Sequence, residues 1–201
     1  MPDLERRLRM ALAAPGGESS DFDLNPAAAK PQGRKLRPAG VLVPITRMGG
    51  EARVILTKRS SRLKHHPGQI AFPGGKQDEG DASVTDAALR EAWEEIGLPR
   101  DLPQVIGTLP DHETVTSFQV TPVVALIDGP FEVIAEPGEV EEVFEVPLTH
   151  LLEPGNFQVE SRIWQGTRRY YFTVPFGPYY IWGATARMLR GLTERMRQDA
   201  D

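Results

Sequence analysis

The chain has 201 residues, 40% of them hydrophobic, enough for one substantial core and predicting a single domain with short appendages. Its 23 basic and 28 acidic residues give a net charge of -5, which excludes a global pull towards nucleic acid or an anionic membrane, so an anionic ligand must be caught locally. Cysteine is absent, excluding disulfides, thiolate zinc sites and a cysteine nucleophile and leaving oxygen and imidazole chemistry.

The opening Met1-Pro2-Asp3-Leu4-Glu5-Arg6-Arg7 lacks the apolar core of a secretory signal, and no apolar run approaches bilayer length, so a soluble cytoplasmic protein is expected. Leu4, Leu8 and Leu12 stand at helical spacing between Asp3 and Ala13 and predict a short amphipathic helix packed on the main body. From Ala14 to Arg37 the composition shifts to Pro, Gly, Ala and Ser, giving an irregular wrap or linker. The division expected is thus 1–36 for helix and linker and 37–201 for the main domain. Val41 to Thr46 and Arg53 to Lys58 predict two strands joined at Gly49-Gly50, and Ala82 to Ile96 predicts the one clear central helix. Further strands are expected at Val105 to Leu109, Phe118 to Ile127 and Glu132 to Ile134. A hairpin from Phe157 to Val174 turning at Gln165-Gly166 and a helix from Gly183 to Arg197 complete the series. Strands on both sides of a central helix, with another helix at the end, point to a mixed sheet between helices, an α/β class.

The central helix carries the most informative pattern. At about 100° per residue, Leu89, Ala92, Trp93 and Ile96 gather on one side and Glu91, Glu94 and Glu95 on the other. Acids three and four residues apart repel one another, and Gly97-Leu98-Pro99 stops the helix so that Glu94 and Glu95 fall where exposed carbonyls are already negative. A bound hard divalent cation reverses that penalty, and Glu91 and Glu95, one turn apart, can grip one ion or neighbouring ions. Arg90 lies four residues before Glu94 and can pair with it. A solvated acidic face is the plainer alternative, but upstream Phe72-Pro73-Gly74-Gly75-Lys76 ends an apolar strand in a glycine turn where a backbone carbonyl can approach a metal closely. An acidic loop, Gln77 to Asp81, follows; Asp81 also suits the N-cap position.

These residues resemble the Nudix box. Arg90-Glu91-Ala92-Trp93-Glu94-Glu95-Ile96-Gly97-Leu98 matches every fixed position of its second half. The first half departs: five residues separate Gly75 from Asp81, but eight separate Asp81 from Arg90, one more than usual, and an aspartate stands where the box has glutamate. The extra residue is similar to the coenzyme A pyrophosphatase branch. Leu56-Thr57-Lys58-Arg59-Ser60, Gly68 and Phe72-Pro73-Gly74-Gly75 follow that branch's signature, with Lys64 in place of an arginine, and Trp182-Gly183-Ala184-Thr185-Ala186-Arg187 resembles its C-terminal helix.

The resemblance implies a Nudix-type α/β/α sandwich and metal-dependent pyrophosphate hydrolysis with Mg²⁺ or Mn²⁺. It implies Glu91 and Glu95 as metal ligands, Glu94 as ligand or supporting partner and the Gly74 carbonyl as a further donor; Arg90, by its spacing to Glu94, is expected to hold that carboxylate in position. A later acid usually contributes; Glu139 in Pro137-Gly138-Glu139-Val140 is the candidate ligand or base, with Glu142 as fallback. Arg59, Arg62 and Lys64, with Lys76, form the basic cluster expected to bind substrate phosphates, including the 3′-phosphate of coenzyme A. His65 and His66, being adjacent, are a poor zinc pair. Phe118 and Tyr179 could stack on adenine, although aromatics so placed are more often packing. The expected partner is a small molecule, coenzyme A or an acyl derivative, with no nucleic acid or membrane, and a homodimer is compatible with the sequence. Two other readings stay open: a Nudix hydrolase of ADP-ribose, a dinucleotide or a deoxynucleoside triphosphate, and a non-catalytic ligand-sensing Nudix domain.

Overall fold

A computed structural model describes residues 2–26, 33–164 and 166–198. In chain order the elements are α1 (Pro2–Ala13), β1 (Ser19–Ser20), β2 (Arg37–Thr46), β3 (Arg53–Arg59), β4 (Ile70–Ala71), β5 (Gly74–Lys76), α2 (Val84–Ile96), β6 (Gln104–Thr108), β7 (His112–Glu113), β8 (Phe118–Ile127), β9 (Val140–Pro147), α3 (Leu148–Leu151), β10 (Gln158–Trp164), β11 (Thr167–Thr173) and α4 (Gly183–Gln198). Gln165, one of the two residues of the expected hairpin turn, lies outside the described residues, as do residues 27–32 of the expected linker.

Nine of the eleven strands among the described residues form one mixed sheet with the order β1-β7-β8-β2-β3-β4; β5 also pairs with β2, β6 with β8 and β9 with β3. Its spine is the parallel pair of β2 and β8, in register from Arg37 opposite Phe118 to Thr46 opposite Ile127. Strand side chains alternate between faces, and the two faces sort into two cores. Leu42, Ile55, Val123 and Ala125 meet Ala88, Ala92 and Ile96 of α2 on one side. Val43, Leu56 and Val124 meet Leu8 of α1 and Leu189 and Leu192 of α4 on the other. This is the expected α/β/α sandwich.

The irregular segment after α1 wraps back onto the sheet. Ser19 Oγ and Asp21 Oδ1 hydrogen bond to the two ring nitrogens of the fully buried His112, at 2.9 and 3.1 Å. Arg195 of α4 donates to the carbonyls of Ala11 and Ala14, so α1 and α4 are tied at their ends as well as by packing.

Three expectations need correction. Glu132 to Ile134 is not a strand: the Ile134 and Glu136 amides donate to the Ile96 and Glu95 carbonyls, so this segment straps the C-terminus of α2 instead. The strand lies later, in β9, where alternation is blurred by consecutive acids. Helix α2 starts at Val84 and not Ala82, because Ser83, in extended conformation, accepts the Asp86 amide as N-cap; Asp81 is not the cap. Trp93 does not belong to the core face, being 51% exposed, and Glu95 does. Facing Ala88, Ala92 and Ile96 inward turns Glu95 in with them and rotates Trp93 out.

Helix α2 approaches β2 closely at Gly40, where an added Cβ would fall 2.0 Å from the Val84 carbonyl oxygen. Backbone on backbone leaves nothing to rotate away. Gly40→Ala should therefore lower stability by about 1–3 kcal/mol or more, read as a fall in the denaturant midpoint. A midpoint unchanged from the parent would contradict this packing.

Candidate active site

Three carboxylates converge where α2, β5 and the strap meet. Glu91, Glu95 and Glu139 each present an oxygen, and these oxygens lie within 4.8 Å of one another. Glu95 is 4% exposed, Glu91 half-buried and Glu139 exposed. Their approach depends on two glycines. The Gly74 amide donates to Glu95 Oε2 at 3.1 Å, and a Cβ on Gly75 would lie 2.4 Å from Glu91 Oε1. The paired glycines of β5 thus let two helix acids reach the edge of the sheet.

The strap brings Glu139 to the other two. The Ser60 amide at the end of β3 donates to the Glu139 carbonyl, and the Glu139 and Val140 amides donate to the Glu136 carbonyl. Glu142, the fallback acid, faces elsewhere: it accepts the Tyr179 hydroxyl at 2.5 Å, while the Tyr179 ring stacks on Phe144.

Arg90 organises the exposed side of the cluster. Its guanidinium donates to both oxygens of Asp81 at 2.9 Å, to Glu91 and Glu94 at 3.0 Å and to the Lys76 carbonyl at 3.2 Å. The expected pairing with Glu94 is present, but Asp81 is its more enclosed partner. These hydrogen bonds hold the Asp81 carboxyl down to about 2. The aspartate in the variant box therefore anchors the arginine, a role that the spacing did not disclose. Glu94 is left exposed at the rim.

The four basic candidates are placed unequally. Arg59 lies close enough to Glu95 to favour its ionised form. Arg62 and Lys64 stand exposed on the loop between β3 and β4, whereas the Lys76 ammonium pairs with Asp78 at 2.9 Å. Its carbonyl also accepts from Arg90. Phe118 lies beneath Arg37, with the guanidinium carbon 4.0 Å from the ring centroid.

Electrostatics give the cluster its chemical character. Burial pushes Glu95 up to about 8, with the Glu91 charge adding to it and the Gly74 amide opposing it. Burial likewise raises Glu91, against the pull of Arg90. A set of three carboxylates, two of them reluctant to ionise alone, fits a hard divalent cation, which offers the charge that the site lacks.

The chain matches the NUDIX domain model over residues 36–165. It belongs to the Nudix hydrolase family. It is 42% identical over 156 residues to an uncharacterized Nudix hydrolase NudL of Citrobacter koseri, covering 78% of this chain and 81% of that protein. A NudL of Cronobacter sakazakii is 43% identical with the same coverage. Among solved structures, the MutT protein of Methanosarcina mazei Go1 superposes with a TM-score of 0.53 at 20% identity, covering 85% of this chain and 99% of that one. The NUDIX domain of Shewanella oneidensis NrtR, complexed with ADP ribose, gives 0.51 at 18% identity, covering 87% and 96%. These likenesses fix the fold. Nudix hydrolases generally use divalent metal ions, in keeping with the donor set. No helix of the described residues is long and apolar enough to cross a membrane.

Between its ordinary value of 4.5 and about 8, Glu95 keeps its proton in the folded metal-free protein and loses it on unfolding. Metal-free stability should therefore fall as pH rises through that window, by on the order of a few kcal/mol, while stabilisation by Mg²⁺ or Mn²⁺ grows over the same range. Glu95→Gln should flatten both trends and raise the metal-free melting temperature at pH 8. Denaturant titrations from pH 5 to 8, with and without metal, check this, and a variant with the parent's pH slope would refute the assignment.

Proposed function

We propose that this Nudix hydrolase cuts the pyrophosphate bond of coenzyme A or acyl-coenzyme A, releasing 3′,5′-ADP and 4′-phosphopantetheine or its acyl form. Its coarser description is a hydrolase of a nucleoside diphosphate derivative. The observation that carries the finer reading is the second motif, Leu56 to Gly75, immediately ahead of a box with one extra residue. That motif folds as β3, the basic loop, β4 and β5, and its two ends touch the carboxylate cluster through Ser60 with Glu139 and through Gly74 with Glu95.

In this reading Glu91, Glu95 and Glu139 hold Mg²⁺ or Mn²⁺, with Glu94 and the Gly74 carbonyl as further donors. The bound ions supply charge neutralisation for the phosphate oxygens and a more acidic water. The chain's own groups do the rest. Arg90, fixed by Asp81, orients Glu91 and Glu94. Glu139, the exposed member of the cluster, is a ligand in this arrangement or, where Glu91 and Glu95 alone hold the ion, the base that accepts a proton from the attacking water. Arg59, with Arg62 and Lys64 on the adjoining loop, draws substrate phosphates towards an otherwise acidic site.

The test is product analysis over coenzyme A, acetyl-coenzyme A, ADP-ribose, a dinucleotide and a deoxynucleoside triphosphate, each with Mg²⁺ and Mn²⁺. Coenzyme A compounds should turn over best and give 3′,5′-ADP. Glu91→Gln should lower kcat by at least about 10²-fold. Preferred cleavage of another panel member would overturn the coenzyme A assignment, whereas a fully active Glu91→Gln protein would overturn the role given to the carboxylates.

A further inference from the structure

The β10–β11 hairpin forms a two-stranded sheet of its own, and its register sets Arg162 directly opposite Arg169. Like charges opposed in this way destabilise a hairpin. Neither arginine has a carboxylate within salt-bridge distance among the described residues, and the buried Nε of Arg169 has no hydrogen-bond partner. An unmet buried donor is costly unless something supplies an acceptor.

Both guanidinium groups lie over aromatic rings. The Arg162 guanidinium carbon is 4.3 Å from the Trp182 ring centroid and 6.0 Å from that of Tyr171; that of Arg169 is 5.8 Å from Trp164. Trp182 and Tyr171 in turn meet edge to face at 5.1 Å. Stacking occupies the face of a guanidinium; it leaves the N–H edge of the exposed Arg162 available, and the terminal N–H groups of the half-buried Arg169, the groups through which arginine binds phosphate.

This platform adjoins the carboxylate cluster through a short run of contacts. After β11 the chain returns so that Thr173 pairs with Trp182 and the Val174 amide donates to the Ile181 carbonyl. A Cβ on the next residue, Gly183, would sit 3.9 Å from the Gln69 side chain. The Gln69 carbonyl accepts the Arg59 amide, and the neighbouring Ser60 amide donates to Glu139. His66, on the loop between, is lowered by burial first and also by the charges of Arg59 and Arg162.

We infer that Arg162 and Arg169, seated on Trp182, Tyr171 and Trp164, form an anion subsite for a phosphomonoester at the far end of the substrate from the bond being cut. Two opposed guanidinium charges suit a dianion, and a phosphomonoester carries close to two charges at neutral pH. The inference rests on the coenzyme A reading, in which that group is the 3′-phosphate, reassigned here from the loop cluster of Arg59, Arg62 and Lys64, which is left with the pyrophosphate.

The experiment compares the full-length protein with Arg162→Gln, Arg162→Lys and Arg169→Gln. Steady-state kinetics are measured on coenzyme A and dephospho-coenzyme A, and binding of 3′,5′-ADP and 5′-AMP by calorimetry. Arg162→Gln should raise KM for coenzyme A about tenfold with kcat within about twofold, leave dephospho-coenzyme A unmoved and weaken 3′,5′-ADP by a similar factor. Arg162 is exposed, so its variants should melt as the parent does; Arg162→Lys should recover part of the loss. If coenzyme A is not cleaved but 3′,5′-ADP binding still depends on Arg162, the subsite stands and the coenzyme A reading falls. If 3′,5′-ADP fails to bind the parent, or binds parent and Arg162→Gln alike, the subsite falls whatever the enzyme cuts.

Discussion

Glu95 faces the core side of α2, and much of the site follows from what it takes to keep a carboxylate there. A helix that must bury Ala88, Ala92 and Ile96 against β2 and β8 turns Glu95 inward with them. Burying an acid without a compensating charge drives it towards the neutral form, as the rise to about 8 shows. One backbone amide, from Gly74, cannot offset that burial, and Glu91 one turn away makes it worse. The fold thus holds in place an electrostatic deficit that a divalent cation can fill. Its glycines make the arrangement possible, because any side chain at Gly75 would collide with Glu91.

The strap between β8 and β9 links two requirements that are usually met separately. A helix C-terminus leaves carbonyls without partners, and Gly97 satisfies some of them by turning left-handed and donating back to Trp93. The Ile134 and Glu136 amides take two more, from Ile96 and Glu95. The segment that completes the helix end is then fixed only three residues before Glu139, whose carbonyl is held by Ser60. Capping the helix and delivering the third carboxylate are consequences of one backbone path. The β3 end and the strap are therefore tied to the C-terminus of α2 by backbone hydrogen bonds.

Much of this was legible because the signals were local. The fold class followed from strands flanking an amphipathic helix, and the core acids followed from the pattern Arg90-Glu91…Glu94-Glu95-Ile96-Gly97. What stayed hidden depended on tertiary direction. Helical angle alone assigns Trp93 to the apolar side, since it cannot tell which part of the stripe the sheet covers; the sheet covers the part that includes Glu95. The strap reads as a strand because Val133-Ile134 is a short β-branched pair, and nothing within it discloses that its amides serve the end of α2. Asp81 was legible as the box acid or as a cap, yet its partner is an arginine nine residues away, brought round by the turn into α2. Arg162 and Arg169 carried no motif at all; only the hairpin register sets them face to face.

The two charge clusters are opposite solutions to one problem. A pyrophosphate-bearing nucleotide is strongly anionic, while the chain is acidic overall, with a net charge of -5 and its most concentrated acids at the reaction centre. Such a centre repels its own substrate unless cations precede or accompany it. Fixed positive groups at some remove from the carboxylates can attract the phosphates without neutralising the acids that must hold metal, which a lysine or arginine inside the cluster would do. Arg90 illustrates the constraint: it reaches Glu91 and Glu94, but Asp81 lies against it and takes up much of its charge. Among the described residues, Arg62, Lys64, Arg162 and Arg169 have no carboxylate within salt-bridge distance. On the proposed reading, separation of the two signs across one loop lets a single substrate meet the carboxylate site at one end and the guanidinium groups at the other.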